Sequence, residues 1–472
     1  MPRIARLALS AALLASAAFA QDSRPVDSRP ASQPQSGPAS APASSSAPTS
    51  SAATTSTSTS TSATASTSQP AKPDRYLAVV NAQIHTVTGA VLERATLLSR
   101  NGKITALGPN VTLPQDCEVI DARGMRVYPG LVAVGAGGLH GNSPVDEMTD
   151  VFNDNMRIAV AVGITSALAG NDAAKLSFGS VDDVVIRRNL FFNLSYDAGR
   201  PLEKAKLRAD LEKVRNYMRE LDAHEIARQR DKDAKAPDKE WLKGPYEQYM
   251  KLLQGQLTAV VQANSVAELR DAVVLARQFN FRLVIRGALE GWTLADEIGR
   301  ADASAIVTPR ATEPGQLTRL REQSLRPRGA TIENAAILNR HGVTVAVIPG
   351  INQIQTWGVA GRDLTHLNME AAFAVRGGMS TNEAVRTITI DAARILGIDD
   401  RVGSLEVGKD ADFIVCDGDV LHYMTQVHYT VVNGRTVYDK KASTLFAHIR
   451  PEGKPELPEF DDQWPRRLEW RD

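Results

Sequence analysis

Cysteine is scarce in this chain: 472 residues hold two, Cys117 and Cys416. Two thiols make no disulfide framework, and these form no Cys-x-x-Cys metal motif. They are expected to be separate small hydrophobes. Net charge is missing as well, because 54 basic residues face 54 acidic ones. That balance argues against a nucleic-acid partner or an anionic membrane surface. After the first twenty residues no run is apolar for long enough to cross a bilayer, so the mature chain is expected to have no transmembrane helix. A Gly-x-Ser-x-Gly elbow is absent, which removes the usual nucleophile of an α/β-hydrolase. Hydrophobic content of 43% is that of an ordinary globular protein.

What is present begins with a targeting pattern. Arg3 and Arg6 precede an apolar run from Leu7 to Phe19, and Ala18-Phe19-Ala20 has the small-residue spacing of a cleavage site. Residues 1–20 therefore read as a signal peptide, with a periplasmic or extracellular mature protein starting at Gln21. Residues 21–75 are nearly all Ser, Thr, Ala and Pro. Such a tract cannot bury enough apolar surface to offset its conformational entropy, and is expected to be a disordered linker.

Folded structure is expected from Tyr76. YLAVVNAQIHTVTG, ATLLSRNGKITALGPN and CEVIDARGMRVYPG read as short strands between turn signals. A second strand group, ADFIVCDGD and VHYTVVNGRTVYD, lies near the C-terminus with an Asn433-Gly434 hairpin turn. Between them, strand-like and helical segments alternate as in an α/β region. Residues 131–397 are enough for a TIM-like (β/α)8 barrel. Residues 201–253 form a charged helical insertion, its mixed signs marking a solvated face. Residues 441–472 are left as a C-terminal tail.

Two stretches carry a family likeness. GSLEVGKDADFIVCDGD, Gly403 to Asp419, and PGLVAVGAGGLHG, Pro129 to Gly141, resemble segments of the amidohydrolase superfamily. By pattern the chain looks closest to its imidazolonepropionase-like and Xaa-Pro-dipeptidase-like members. The resemblance implies a barrel joined to a small composite β-sandwich, formed by residues 76–130 and 398–440. It also implies one or two divalent metals, usually zinc, at the barrel mouth, activating water for hydrolysis of C–N bonds.

The ligand positions of that family do not carry ligands here. Gly135 and Gly137 stand where a His-x-His pair follows the first strand. Gln262 and Asn264 stand on a His-Ala-His segment, Gly287 on a later histidine, and Gly350 on the catalytic aspartate. Glycine has no donor, and neutral amides are poor zinc ligands beside imidazole or carboxylate. The resemblance thus implies a dismantled metal site with no bound cofactor. The three side chains missing at Gly135, Gly137 and Gly287 either leave space for a polar small molecule at the mouth or are replaced there by neighbouring apolar groups and loops; the two expectations weigh equally.

Other polar residues supply no replacement. His140 and His366 are candidates for a substitute site, while His422 and His428 read as structural or surface residues. Period two, with Gly287 facing inward, points Arg286 toward the helices. The expected function is a non-catalytic binding module, or a partner subunit of itself or of an intact amidohydrolase. Two rivals are a hydrolase acting through an unrecognised site and a cell-envelope interaction protein using the linker as a spacer.

Overall fold

Strand formation starts where β-branched and aromatic residues replace the Ser/Thr tract. The computed structural model describes residues 74–141, 144–194, 200–232, 234–311, 329–355 and 361–445. The signal peptide, the linker up to residue 73 and the tail beyond residue 445 lie outside the described residues. The linker's expected end moves back by two residues. Arg75 N–H donates to Asn101 Oδ1 at 2.9 Å and its guanidinium to the Asn433 carbonyl at 2.8 Å, so Asp74 and Arg75 already belong to the fold.

The two terminal strand groups pair into one eight-stranded sheet. Its strands are β1 (Tyr76–His85), β2 (Val91–Arg100), β3 (Lys103–Gly108), β4 (Cys117–Asp121) and β5 (Arg126–Pro129), with β15 (Phe413–Cys416), β16 (Val427–Val432) and β17 (Arg435–Asp439). The order is β17-β16-β15-β5-β1-β2-β3, and β4 also pairs with β1. The join is antiparallel, with Ile414 opposite Tyr128. Leu77, Val79, Leu97, Ile104, Phe413 and Val431 pack as one apolar cluster. Cys117 on β4 and Cys416 on β15 are free thiols.

Between these groups lie two further sheets. One is four-stranded: β6 (Leu131–Ala133), β7 (Ile164–Ala169), β8 (Asp172–Lys175) and β9 (Val185–Arg187), mixed in direction. The other is five-stranded and parallel throughout: β10 (Phe191–Asn193), β11 (Thr258–Ala263), β12 (Leu283–Gly287), β13 (Ser304–Val307) and β14 (Val345–Val347). A ring of eight hydrogen-bonded strands is not what the described residues form. The two sheets nevertheless share one interior, where Val132, Val134, Val260, Val284, Ile306 and Ala346 meet. Ile395 and Leu396, from the helix Ile390–Leu396, join the same cluster. The alternate residues Ala259, Val261, Leu283 and Ile285 pack instead with Leu269, Ala272 and Ala276 of the helix Val266–Phe279. Period two therefore fixes which positions face the interior.

The charged insertion is more than a solvated face. Its long helix, Pro201–Arg230, buries Leu207, Leu211, Val214 and Tyr217 as one stripe at helical spacing. Arg215 donates to the Gln278 carbonyl at 3.1 Å and lies over the Phe279 ring, which fixes the insertion against the helix after β11.

The Gly403–Asp419 stretch is held by a buried ion cluster. Lys175, at the end of β8, has no exposed side-chain surface and lies 2.7 Å from Asp410 and 3.0 Å from Asp412. Lys175 also donates to the Asn433 side chain, and Arg401 Nε to Asp410 at 2.8 Å. The aspartates of this motif thus tie β15 to the strands inside.

Candidate binding site

The C-terminal ends of β11 and β12 lie side by side, with Gln262 opposite Arg286 and Ala263 opposite Gly287. Gln262 is two residues past the interior Val260, so it faces the interior; the chain places it exposed to solvent there. Asn264 follows on the same side and is half-buried. Its backbone is held by the next helix: Asn264 N–H donates to Glu268 Oε2 at 2.8 Å. Ser265 and Glu268 complete a capping box at that helix start. Buried Glu290 accepts from Val266 N–H at 2.9 Å and from Gly329 N–H at 2.9 Å, so its carboxylate serves the backbone.

Gly287 has φ +90°, a conformation that side-chain-bearing residues rarely adopt. A Cβ there would lie 2.2 Å from Asn264 Oδ1 and 2.6 Å from Gln262 Nε2. The two amides therefore occupy the room that a side chain at 287 would need. Similar filling occurs on the facing side. A Cβ at Gly137 would meet Gln353 Cγ at 2.9 Å, and one at Gly135 would meet Ile348 Cδ1 at 3.0 Å. Gly137 N–H donates to the Asn352 carbonyl at 2.7 Å, which holds the segment after β14 beside the segment after β6. Close to the backbone, neighbouring side chains take the room that a side chain at 135, 137 or 287 would need. Gly350 differs, since nothing lies within 4 Å of the position its Cβ would take.

The structure thus brings Gln262, Asn264 and Gly287 together, and sets Gly135 and Gly137 against Ile348, Asn352 and Gln353. Sequence reading missed Asn352 and Gln353, although both follow Gly350 at once. Arg286 is the main correction. It lies two residues past the interior Val284, and its guanidinium sits 6.0 Å from the centroid of Phe191, another interior residue. It points inward. Burial lowers its pKa.

The candidate histidines have other occupations. His140 Nε2 lies 3.1 Å from the Lys175 carbonyl, and burial pushes its imidazole pKa down. His366 stands before the helix Leu367–Arg376 with Nδ1 2.8 Å from Asp363. Burial would raise the Asp363 carboxyl, but hydrogen bonds from Gln355 N–H, Thr365 and His366 outweigh it and hold it below the usual range. His428 pairs with Asp417 and His422 stacks on Tyr423. A groove of about 1010 Å³ near His366, Phe373 and Tyr438 is lined by none of the six positions read from the sequence.

Comparison with known proteins places this geometry. Residues 319–437 match the model of the Amidohydrolase family. The imidazolonepropionase of Pseudomonas putida (strain GB-1) is 32% identical over 158 residues, which are 34% of this chain and 35% of that enzyme. The imidazolonepropionase of Pseudomonas aeruginosa (strain UCBPP-PA14) is 32% identical over 163 residues, 34% of this chain and 36% of that enzyme. The matched stretches span about a third of those relatives' lengths. The crystal structure of an amidohydrolase from Thermotoga maritima MSB8 superimposes with a TM-score of 0.59 at 21% identity, covering 77% of this chain and all of that one.

The likeness is to the amidohydrolase superfamily, carried in sequence by residues 319–437 and by about a third of the imidazolonepropionases. Its fold is TIM-barrel-like α/β, and the C-terminal ends of β11 and β12 lie where the mouth of such a fold is found. The residues at this mouth do not fit the superfamily's divalent metal. The donors present are amides and a guanidinium, and among the described residues no three His, Cys, Asp or Glu side chains gather as ligands. No reaction step is derived through a metal.

Proposed function

We propose that this chain is a non-catalytic member of its superfamily, whose barrel mouth binds a polar small molecule. The observation that carries the reading is the packing of Gln262 and Asn264 over Gly287. Where the superfamily pattern sets imidazoles, this chain holds amide donors and acceptors in the room that a side chain at 287 would need. Amides bind carbonyls, hydroxyls and carboxylates, but they neither lower the pKa of water nor act as bases near neutral pH. Binding a ground state alone does not accelerate its hydrolysis.

Residues 76–130 with 398–440 would form the composite sandwich domain, and 131–397 the barrel. The mature protein is proposed to be exported, periplasmic or extracellular, and to assemble with itself or with an intact amidohydrolase. The second reading, a hydrolase of C–N bonds, is favoured by one observation: the similar relatives are imidazolonepropionases. Elemental analysis decides between them. After expression in metal-supplemented medium, the purified protein should carry no stoichiometric zinc, manganese, iron or cobalt, and should turn over no amide, cyclic amide or dipeptide. About one tightly held metal per chain, with turnover sensitive to chelators, would restore the hydrolase.

A further inference from the structure

Five polar side chains stand at the mouth, and their hydrogen-bonding capacity is unused. Among the described residues, the side chains of Gln262, Asn264, Asn352 and Gln353 make no hydrogen bond within the chain, and the Arg286 guanidinium makes neither a hydrogen bond nor an ion pair. Arg286 is half-buried, beside Gln262 and over the Phe191 ring. A guanidinium partly removed from water without a carboxylate is costly, and proteins normally pair such a group. The nearby acids are engaged elsewhere: Glu290 by backbone N–H groups of Val266 and Gly329, and Glu370 by Arg310. A small anion from solution is the partner this arrangement lacks.

We infer that Arg286, flanked by Gln262 and Asn264, is the binding site for the carboxylate of a small organic acid, seated in the barrel mouth. The guanidinium presents two parallel N–H donors that match the two oxygens of a carboxylate. Gln262 Nε2, beside Gly287, donates from the neighbouring strand. Among the described residues, this end of the sheet offers one cation without an acidic partner, Arg286, and neutral amides, which balances a monoanion; a phosphate dianion would need a second cation. The amides of Asn352 and Gln353, across at Gly135 and Gly137, remain for the polar body of the ligand. The inference rests on the reading of this mouth as a ligand site.

The test uses the full mature chain in chloride-free buffer, with calorimetric titration and thermal shift. The probes are propionate, benzoate and N-acetylglycine, with propionamide as neutral counterpart and inorganic phosphate as the competing anion. At least one carboxylate is expected to bind with a Kd of about 1 mM or tighter. Arg286→Met should weaken that binding at least about tenfold, and Arg286→Lys should fall between, because it keeps the charge and loses the fork. Removing an unpaired, half-buried cation should leave the unfolding temperature of the free protein unchanged or raised, so misfolding does not mask the result. Equal binding of propionamide and propionate, carboxylate binding that survives Arg286→Met, tighter binding of phosphate, or no carboxylate binding at all would each overturn the inference. A metal-loaded protein would overturn the function proposed above; a metal-free protein indifferent to carboxylates defeats this inference alone.

Discussion

Replacing Lys175 by Met should cost this protein a large part of its stability, and the cost should depend on pH. Lys175 is fully buried with Asp410 and Asp412, whose side chains are 1% and 2% exposed. Asp410 keeps Lys103 and Arg401 when Lys175 is gone. Asp412 keeps only the Asn433 N–H at 2.7 Å on one oxygen. Its other oxygen, 3.0 Å from the ammonium, lies out of hydrogen-bond alignment and has no further partner. Breaking a buried ion pair from one side costs about 3–5 kcal/mol. The two cations left on Asp410 put this case near about 3 kcal/mol, or roughly two orders of magnitude in the folding equilibrium.

The pH dependence follows from Asp412. Burial raises its pKa even though Lys175 opposes the shift. A carboxyl whose folded pKa lies above its unfolded value is penalised when ionised, so the deficit grows as pH rises from the unfolded to the folded pKa, is complete above that, and vanishes below the unfolded value. Asp410 has the opposite sign. Burial would raise it, but Lys175, Lys103 and Arg401 outweigh burial and lower it, so its stabilising contribution disappears only as pH falls through that lowered pKa. Between the raised folded pKa of Asp412 and the ordinary aspartate range, its contribution governs the variant. Urea unfolding followed by circular dichroism should show the Lys175→Met deficit shrinking over that range. Adding Asp412→Asn should recover at least about 1 kcal/mol. A variant within about 0.5 kcal/mol of the parent at neutral pH would refute the reasoning.

Two further outcomes are expected. Gly287→Ala should lose about 1–3 kcal/mol in the same unfolding assay, from the φ of +90° and the Asn264 oxygen in its way, whereas Gly350→Ala, with open space around it, should be close to neutral. N-terminal sequencing of protein from the producing cell should read from Gln21; an intact Met1 on exported material would contradict cleavage after Ala20.

The likeness of the sequence to its superfamily was legible because it rests on long stretches with several constraints at once. In GKDAD, for example, Lys409 contacts Ser404 and Glu406, while Asp410 and Asp412 hold Lys175. The partner of those acids was not legible. Lys175 lies 235 residues from Asp410, and nothing in ITSALAGNDAAK marks one lysine as buried. That the described strands form two sheets rather than one ring was not legible for a related reason. Alternation of strands and helices specifies an α/β order, but pairing is decided by register, and β8 turns back antiparallel to β7 at a two-residue connection, Gly170-Asn171.

The mouth shows most clearly where pattern reasoning breaks. Alternation correctly groups Val260 with Gln262 and Val284 with Arg286, since every one of these positions follows the pleat. The error at Arg286 came from extending the pleat through Gly287. At φ +90°, followed by Ala288 at φ +42°, the backbone leaves the strand, and the position of a Cβ at 287 no longer says where residue 286 points. A glycine at a strand end removes its own side chain and also the right to count across it. Both consequences meet at this site: one glycine makes room for two amides, and the residue before it turns a cation into the barrel.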